Sequence, residues 1–283
     1  MNLPEKLDID LIEKAMLEQP QAPCPVLHHF GPGIYIRELL LPAGTVAIGH
    51  KQKFEHLNIM LTGQVVMINP DKSTKLLTAP MIFTAPPGRK IGYVIDSCVW
   101  LNIYATDETD IQMLENYYFD KSDAWQARTM KSLALFRNAH QDDREDFLNL
   151  IKEMGLTPNE VRAESEKTHD LCDLPEPFNK YISIRESPIE GQGVYISVPF
   201  AAGDYIAPAR INGQRTPIGR FCNHAKQPNC DFIKDESGDI LLFARQHLHG
   251  CEGGGFGEEL TVDYRQAVNL TGRYFFQKAG GKS

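Results

Sequence analysis

Arg220-Phe221-Cys222-Asn223-His224-Ala225-Lys226-Gln227-Pro228-Asn229 is followed by Gly257-Glu258-Glu259-Leu260-Thr261-Val262-Asp263-Tyr264, and these two stretches decide how the chain is read. Upstream of both stands Gly191-Gln192-Gly193-Val194-Tyr195. Gly191 and Gly193 lead into an apolar, strand-like run, Val194-Tyr195-Ile196. Glycine there permits positive φ and close approach of a ligand or another backbone. The same pair also suits a plain hairpin turn. Asn223 can donate and accept at once, so it can fix the polar edge of a ligand. With His224 it can equally bond the local backbone of a buried turn. Leu260 to Tyr264 alternates at strand period. Tyr264 at its end reads either as a site residue or as a core tyrosine whose hydroxyl is satisfied at the rim. Each segment alone is ordinary; the information lies in all three occurring in this order.

Together the three segments resemble the SET domain of protein-lysine methyltransferases. The resemblance implies that S-adenosyl-L-methionine is held at Gly191, Gly193, Val194, Tyr195, Arg220, Asn223 and His224, with the backbone of Asn223-His224 gripping the adenine. It implies a knot-like crossing, in which the strand ending at Asp263-Tyr264 threads past the Asn223-His224 segment. Tyr264 is then the catalytic residue, facing the reacting methyl at the end of a narrow lysine channel. The cofactor brings an activated methyl, so the protein supplies orientation and electrostatics. A lysine amine, with a reference pKa of about 10.4, must lose its proton before attack. A dry channel beside a sulfonium favours that loss, and in-line alignment supplies the entropic part of the rate.

Two departures from the family pattern bear on this reading. Ala225 stands where the family usually has Ser. More consequentially, only residues 194–222 separate Gly193 from Asn223, and the interval is punctuated by Pro199, Gly203, Pro208, Gly213, Pro217 and Gly219. It reads as short strands and turns. Relatives carry here a longer helical insert that forms one wall of the substrate groove, so that wall must come from elsewhere.

Residues 26–118 change character. Strand-like runs Gly33–Leu39, Leu57–Leu61, Gln64–Ile68, Met81–Phe83, Gly92–Ile95 and Val99–Tyr104 are separated by turns such as Pro42-Ala43-Gly44, Thr62-Gly63 and Pro86-Pro87-Gly88. Many short strands with regular turns indicate a sandwich or barrel. Gly44, His50, Glu55 and Gly63, with the later Pro86-Pro87-Gly88, resemble a cupin, a small jelly roll. Cupins often bind metal through two His, a Glu and a further His. Here Gln52 and Ile91 occupy two of those places, and Ile cannot ligate. His50, Glu55 and His56 remain as a weak metal set, against a polar barrel mouth without metal.

The expected architecture is therefore mainly β. It comprises an N-terminal helix and arm (1–25), a cupin-like double-stranded β-barrel (26–119), a short helical connector (120–173) and a SET-type β fold (174–283). The arm carries a short acidic helix over residues 7–19, with Leu7, Leu11 and Ala15 on one face. In the connector, Phe147, Leu150, Ile151 and Met154 form one helical stripe. Gly155 suits a C-cap, and Thr157-Pro158-Asn159-Glu160 reads as a capping box opening another helix. Such helices are candidates for the missing wall. His247, His249 and Cys251 precede Gly253-Gly254-Gly255, which favours a loop over a metal site. Tyr274-Phe275-Phe276 is a candidate to close the lysine channel.

Net charge is −8 over 283 residues. That argues against a nucleic-acid surface and is compatible with a lysine-bearing protein substrate. No apolar run approaches membrane-spanning length. The first residues lack the basic start and apolar core of a signal peptide, and the six cysteines are scattered, which suits reduced thiols in a cytoplasmic protein. The expected function is S-adenosylmethionine-dependent protein-lysine N-methyltransfer in a bacterial or bacteriophage protein. The alternative is a non-catalytic accessory or assembly protein that forms homo-oligomers through a metal-less cupin and binds a partner with the SET-like part.

Overall fold

The computed structural model describes residues 7–252, 255 and 257–271, and for residues 133, 135–139 and 271 the backbone alone. Gly253-Gly254 and the aromatic tail Tyr274-Phe275-Phe276 lie outside the described residues. The chain divides into two compact units: Met1–Ser132 with Gly250–Gly257, and Leu133–His249 with Glu258–Ser283. Residues 120–173 thus contribute to both. No described helix is long and apolar enough to cross a membrane.

The first unit opens with α1 (Ile9–Met16), capped by Asp8, whose Oδ1 accepts from Leu11 N at 3.0 Å. Strands β1 (Val26–Gly31), β2 (Ile34–Leu41), β3 (Val46–Ile48), β4 (Lys51–Gln52), β5 (His56–Ile68), β6 (Thr74–Thr78), β7 (Met81–Ala85) and β8 (Ile91–Ala105) follow. After them come α2 (Ile111–Tyr118), β9 (Phe119–Asp120) and α3 (Asp123–Ala139), the last crossing into the second unit. Everything is arranged about the antiparallel pair β5 and β8. His56 to Met60 pairs with β7, whereas Gln64 to Ile68 pairs with β6. Likewise Ile91 to Tyr93 pairs with β3 and Cys98 to Ala105 with β2. Each long strand thereby serves two strand sets.

Three expectations need correction. The ladder runs β1-β2-β8-β5-β6 and ends at β1 and β6 among the described residues, so the sheet is not a closed barrel. Thr62-Gly63, read as a turn, is an irregularity inside continuous β5. Gly63 has φ +90°, and a Cβ there would lie 2.6–2.7 Å from the backbone of Ser97, Asp96 and Cys98. The two long strands touch at that point, so the chain bends without breaking the ladder. On α1 the apolar stripe is not the buried one. Leu11 is 65% exposed, while Glu13 is buried and ion-paired with Arg89.

The second unit begins with the end of α3, then α4 (Gln141–Glu153) and α5 (Pro158–Ser165). Leu150 and Ile151 are buried on α4. On α5 the capping box between Thr157 and Glu160 is formed, with Pro158 in the first turn. Next come β10 (Ile182–Glu186), β11 (Gln192–Ile196), β12 (Tyr205–Ile211), β13 (Gln214–Arg215), α6 (Pro217–Phe221), β14 (Asn223–His224), β15 (Cys230–Lys234), β16 (Ile240–Ala244), β17 (Glu258–Val262) and α7 (Tyr264–Thr271). They form two four-stranded sheets, β10-β11-β17-β14 and β13-β12-β16-β15. The interval before Asn223 is short strands plus one helical turn. Val194, Ile196, Ile206, Ile218, Leu242, Leu248, Leu260 and Val262 are fully buried between these elements, each worth about 1.5–3 kcal/mol of transfer free energy. The strand expected to reach Tyr264 stops at Val262, and Tyr264 opens α7.

Gly63→Ala should cost about 1–3 kcal/mol through positive φ and added crowding. Gly44→Ala, at φ +79° with nothing within 4 Å of the new methyl, should cost less. Denaturant melts of the two variants check this ordering, and equal losses would contradict it.

Candidate functional site

The three sequence segments meet in the sheet β10-β11-β17-β14. β11 lies beside β17, with Tyr195 opposite Glu259. β14 runs parallel to β17, pairing Asn223 with Thr261 and His224 with Val262. Parallel neighbours require a long crossover connection, and the chain between residues 225 and 257 supplies it. Asn223, His224 and Tyr264 are brought together by this one ladder.

The centre of the cluster is Glu259, which is only 4% exposed. Its Oε1 accepts from Ser187 Oγ at 2.8 Å and from Asn223 Nδ2 at 2.9 Å, and its Oε2 accepts from Tyr195 Oη at 3.0 Å. A Cβ on Gly193 would fall 2.2 Å from Oε1. Gly193 is therefore glycine because the carboxylate of Glu259 occupies that space. Asn223 Nδ2 also donates to the carbonyls of Glu190 and Gln192, at 3.2 and 3.1 Å. Asn229 clamps β17 from the other side, its Nδ2 on Glu259 O at 2.8 Å and its Oδ1 accepting from Thr261 N at 2.8 Å.

Beside this network lies the aromatic part. Tyr264 N donates to His224 Nδ1 at 3.2 Å, and Tyr264 Oη donates to Cys222 O at 2.9 Å. Burial, with Cys222 and Glu259 nearby, raises the Tyr264 hydroxyl well above its ordinary value, so the phenol stays neutral. His224 Nε2 stands 3.1 Å from Asp146 Oδ2 on α4. Phe147 packs edge-on to the Tyr264 ring at 5.9 Å and lies 6.3 Å from the His224 ring. Asp143 Oδ1 accepts from Lys226 N at 2.7 Å. The connector helix thus supplies a wall beside Tyr264 and His224. Arg265 grips Asp146 in a two-point contact, at 2.7 and 3.0 Å. Arg265 first, then His224, holds the Asp146 carboxyl down at about 2.

The remaining assigned residues fall as follows. Gly191 turns the chain at φ +51° with nothing near its missing side chain. Val194 is core, and Tyr195 is committed to Glu259 and Glu186 O. β11 is flanked on both edges there, by β10 and β17. Arg220 lies over the Phe221 ring at 4.8 Å, and its Nε is buried without a partner. Reading the sequence missed Glu259, Asp146, Phe147 and Arg265. For Glu259 a signal existed: a carboxylate directly before Leu260 in an apolar strand, in a chain where Gly193 leaves room for it.

His50, Glu55 and His56 are not brought together as a metal set. Glu55 is exposed. His50 packs on Trp125, ring to ring at 4.9 Å. His56 takes Lys90 Nζ at 3.1 Å. Among the described residues no group of three His, Cys, Asp or Glu could hold a metal ion, His247, His249 and Cys251 included.

No family model matches the chain, and no curated protein matches it in sequence. Similar solved structures are cupin-like. An RmlC-like cupin family protein from Methanocaldococcus jannaschii is 18% identical, with TM-score 0.25, covering 30% of this chain and 82% of its own. A cupin domain from Bordetella pertussis is 17% identical, with TM-score 0.24, covering 38% of this chain and 98% of its own. KdgF from Halomonas sp. is 8% identical, with TM-score 0.27, covering 32% of this chain and 87% of its own. Likeness at this level carries no argument about the site.

Asp146 contributes stability that is present above the ordinary carboxylate range, about 3.9, and lost as pH falls toward about 2. The stability gap between wild type and Asp146→Asn should therefore narrow as pH drops through that window. Urea melts at a series of acid pH values test it; a gap independent of pH would refute the assignment.

Proposed function

We propose that this protein is an S-adenosylmethionine-dependent protein-lysine N-methyltransferase of the SET type, carried on a chain whose first unit is cupin-like. The observation that supports it most is the parallel β14·β17 ladder, which holds Tyr264 against both His224 and Cys222 O. Three sequence segments far apart in the chain converge on one point, and Glu259 binds two of them together.

The residues fit such a cofactor in one respect that is specific. Arg220, two residues before Cys222, keeps a buried Nε without a partner, and a carboxylate such as that of the cofactor's amino-acid end answers an orphan guanidinium. When bound, S-adenosylmethionine supplies an activated sulfonium methyl. The chain's own part is positional. The neutral Tyr264 phenol donates to Cys222 O and, as a group that can both donate and accept, would orient a substrate amine. Phe147 on α4 shields the phenol and the imidazole from water. Asp146 and the Tyr264 amide fix the His224 ring from both nitrogens. None of these groups is a strong base, so substrate deprotonation rests on desolvation of the lysine.

A second reading, a non-catalytic oligomeric assembly protein, is favoured by a different observation. Leu57, Ile59 and Leu61 on β5 lie on the face opposite to buried Asn58 and Met60, beside Ile82 on β7. Leu61 and Ile82 are 50% and 67% exposed. A row of this kind suits a second copy of the chain.

Calorimetry with S-adenosylmethionine and S-adenosylhomocysteine should give saturable binding to the full chain. Tyr264→Phe should then lower N-methyllysine formation in a cell extract by at least about 100-fold, within the range lost with a positioned catalytic group, while cofactor affinity stays within error. Absence of heat with either ligand at millimolar concentration would remove the enzyme reading. The second reading predicts a dimer by sedimentation velocity that Ile82→Lys dissociates; a monomeric wild type would exclude it.

A further inference from the structure

The interior of the first unit holds a cavity of about 390 Å³, within the range of small-ligand sites. Its floor follows from strand alternation. Of the lining residues, Arg37 pairs with Asn102 and Leu39 with Trp100 across β2 and β8, and Asn58 and Met60 of β5 continue these two rows. Val65 and Met67 of β5 and Glu13 and Met16 of α1 also line it.

The polar groups in this cavity are unevenly satisfied. Asn58 Oδ1 is fully used, accepting from Trp100 Nε1 at 2.9 Å and Asn102 Nδ2 at 2.8 Å. Arg37 is not. It is 8% exposed, its guanidinium lies over the Phe119 ring at 5.4 Å, and its Nε has no partner. Trp125 Nε1 and His50 Nδ1 are likewise buried without partners. Lys90 Nζ lies 3.1 and 3.5 Å from His56 and Asn58 and 6.0 Å from the centre of the Trp100 ring, and burial lowers it to about 8. The one acid of the lining, Glu13, gives its Oε1 to Arg89, while its Oε2 is buried without a partner. Two cations therefore face an apolar chamber with no acid of their own. An unpaired buried charge is costly, and every orphan donor adds to that cost.

We propose that this cavity binds a small organic carboxylate without a metal, the carboxylate on Arg37 and the apolar body against Leu39, Val65, Met67 and Trp100. A planar guanidinium matches a carboxylate in a two-point contact. The indole N–H of Trp125 and the imidazole of His50, kept neutral by burial at about 3, add hydrogen bonds without adding charge. Inorganic phosphate, compact and more highly charged, would leave the apolar wall uncovered.

The chain's two tryptophans, Trp100 and Trp125, both line the cavity, so intrinsic fluorescence reports on it directly. The full chain, in EDTA, would be titrated with benzoate and glutarate, with neutral benzamide and with inorganic phosphate. A saturable fluorescence change and a raised Tm are expected with at least one of the two acids, and neither with benzamide or phosphate. Arg37→Met should weaken the acid by at least about tenfold, the ordinary loss of a charge-assisted hydrogen bond, without lowering the Tm of the unliganded protein. Lys90→Met provides a second variant expected to weaken binding. Tyr264→Phe should leave it unchanged, which keeps this outcome separate from methyl transfer. No saturable change with either acid, benzamide binding as tightly as benzoate, phosphate binding in their place, or unchanged affinity in both variants would each overturn the proposal.

Discussion

The carboxylate of Glu259 is the contact on which the second unit depends. It is a buried acceptor, and a buried polar group is costly unless donors answer it. Here the donors come from three places: Ser187 before the glycine pair, Tyr195 just after it, and Asn223 at the start of β14. A single acceptor thereby fixes β11, β14 and β17 to one another. Gly193 is part of the same device, because any side chain there would evict the carboxylate. Removing one donor would leave a buried oxygen short of a partner, which makes the network cooperative.

Downstream of that anchor, the position of Tyr264 follows from geometry. With β14 fixed parallel to β17, the residue after the turn at Asp263 must pass beside His224. Its amide finds the imidazole and its hydroxyl finds Cys222 O. Helix α4 then covers both rings through Phe147 and ties them through Asp146 to Arg265. The interval before Asn223 holds short strands and one helical turn, and α4, from the preceding connector, stands beside the tyrosine.

The sequence carried the three segments plainly because each contains residue types with few structural substitutes: paired glycines, Asn-His, and an acidic strand ending in tyrosine. It carried the strands of the first unit through alternation, and α5 through its capping box. Glu259 was half legible: a carboxylate directly before Leu260 in an apolar strand is a signal, but two glutamates after a glycine also describe a turn. The sequence misled at Thr62-Gly63, because the composition of a bulge and of a turn is the same, and only the approach of Ser97 and Asp96 distinguishes them. It misled at α1, where helical period selected Leu11 but the ion pair to Arg89 turned Glu13 inward. Closure of the barrel was beyond its reach, since closure depends on which edges pair and not on any residue pattern.

Arg37 shows where a legible signal went unused. In Ile34-Tyr35-Ile36-Arg37-Glu38-Leu39, alternation puts Arg37 on the same face as Tyr35 and Leu39, which is the buried face. A cation on the inner face of a strand must be paired, solvated or intended for something absent from the chain. Its register neighbours Asn102 and Asn58 carry no charge, and Lys90 brings a second positive charge to the same chamber. A unit selected for stability alone gains nothing from such an interior, since apolar residues of equal volume would be neutral or stabilising. Stability alone therefore does not account for Arg37, and a carboxylate of matching shape does.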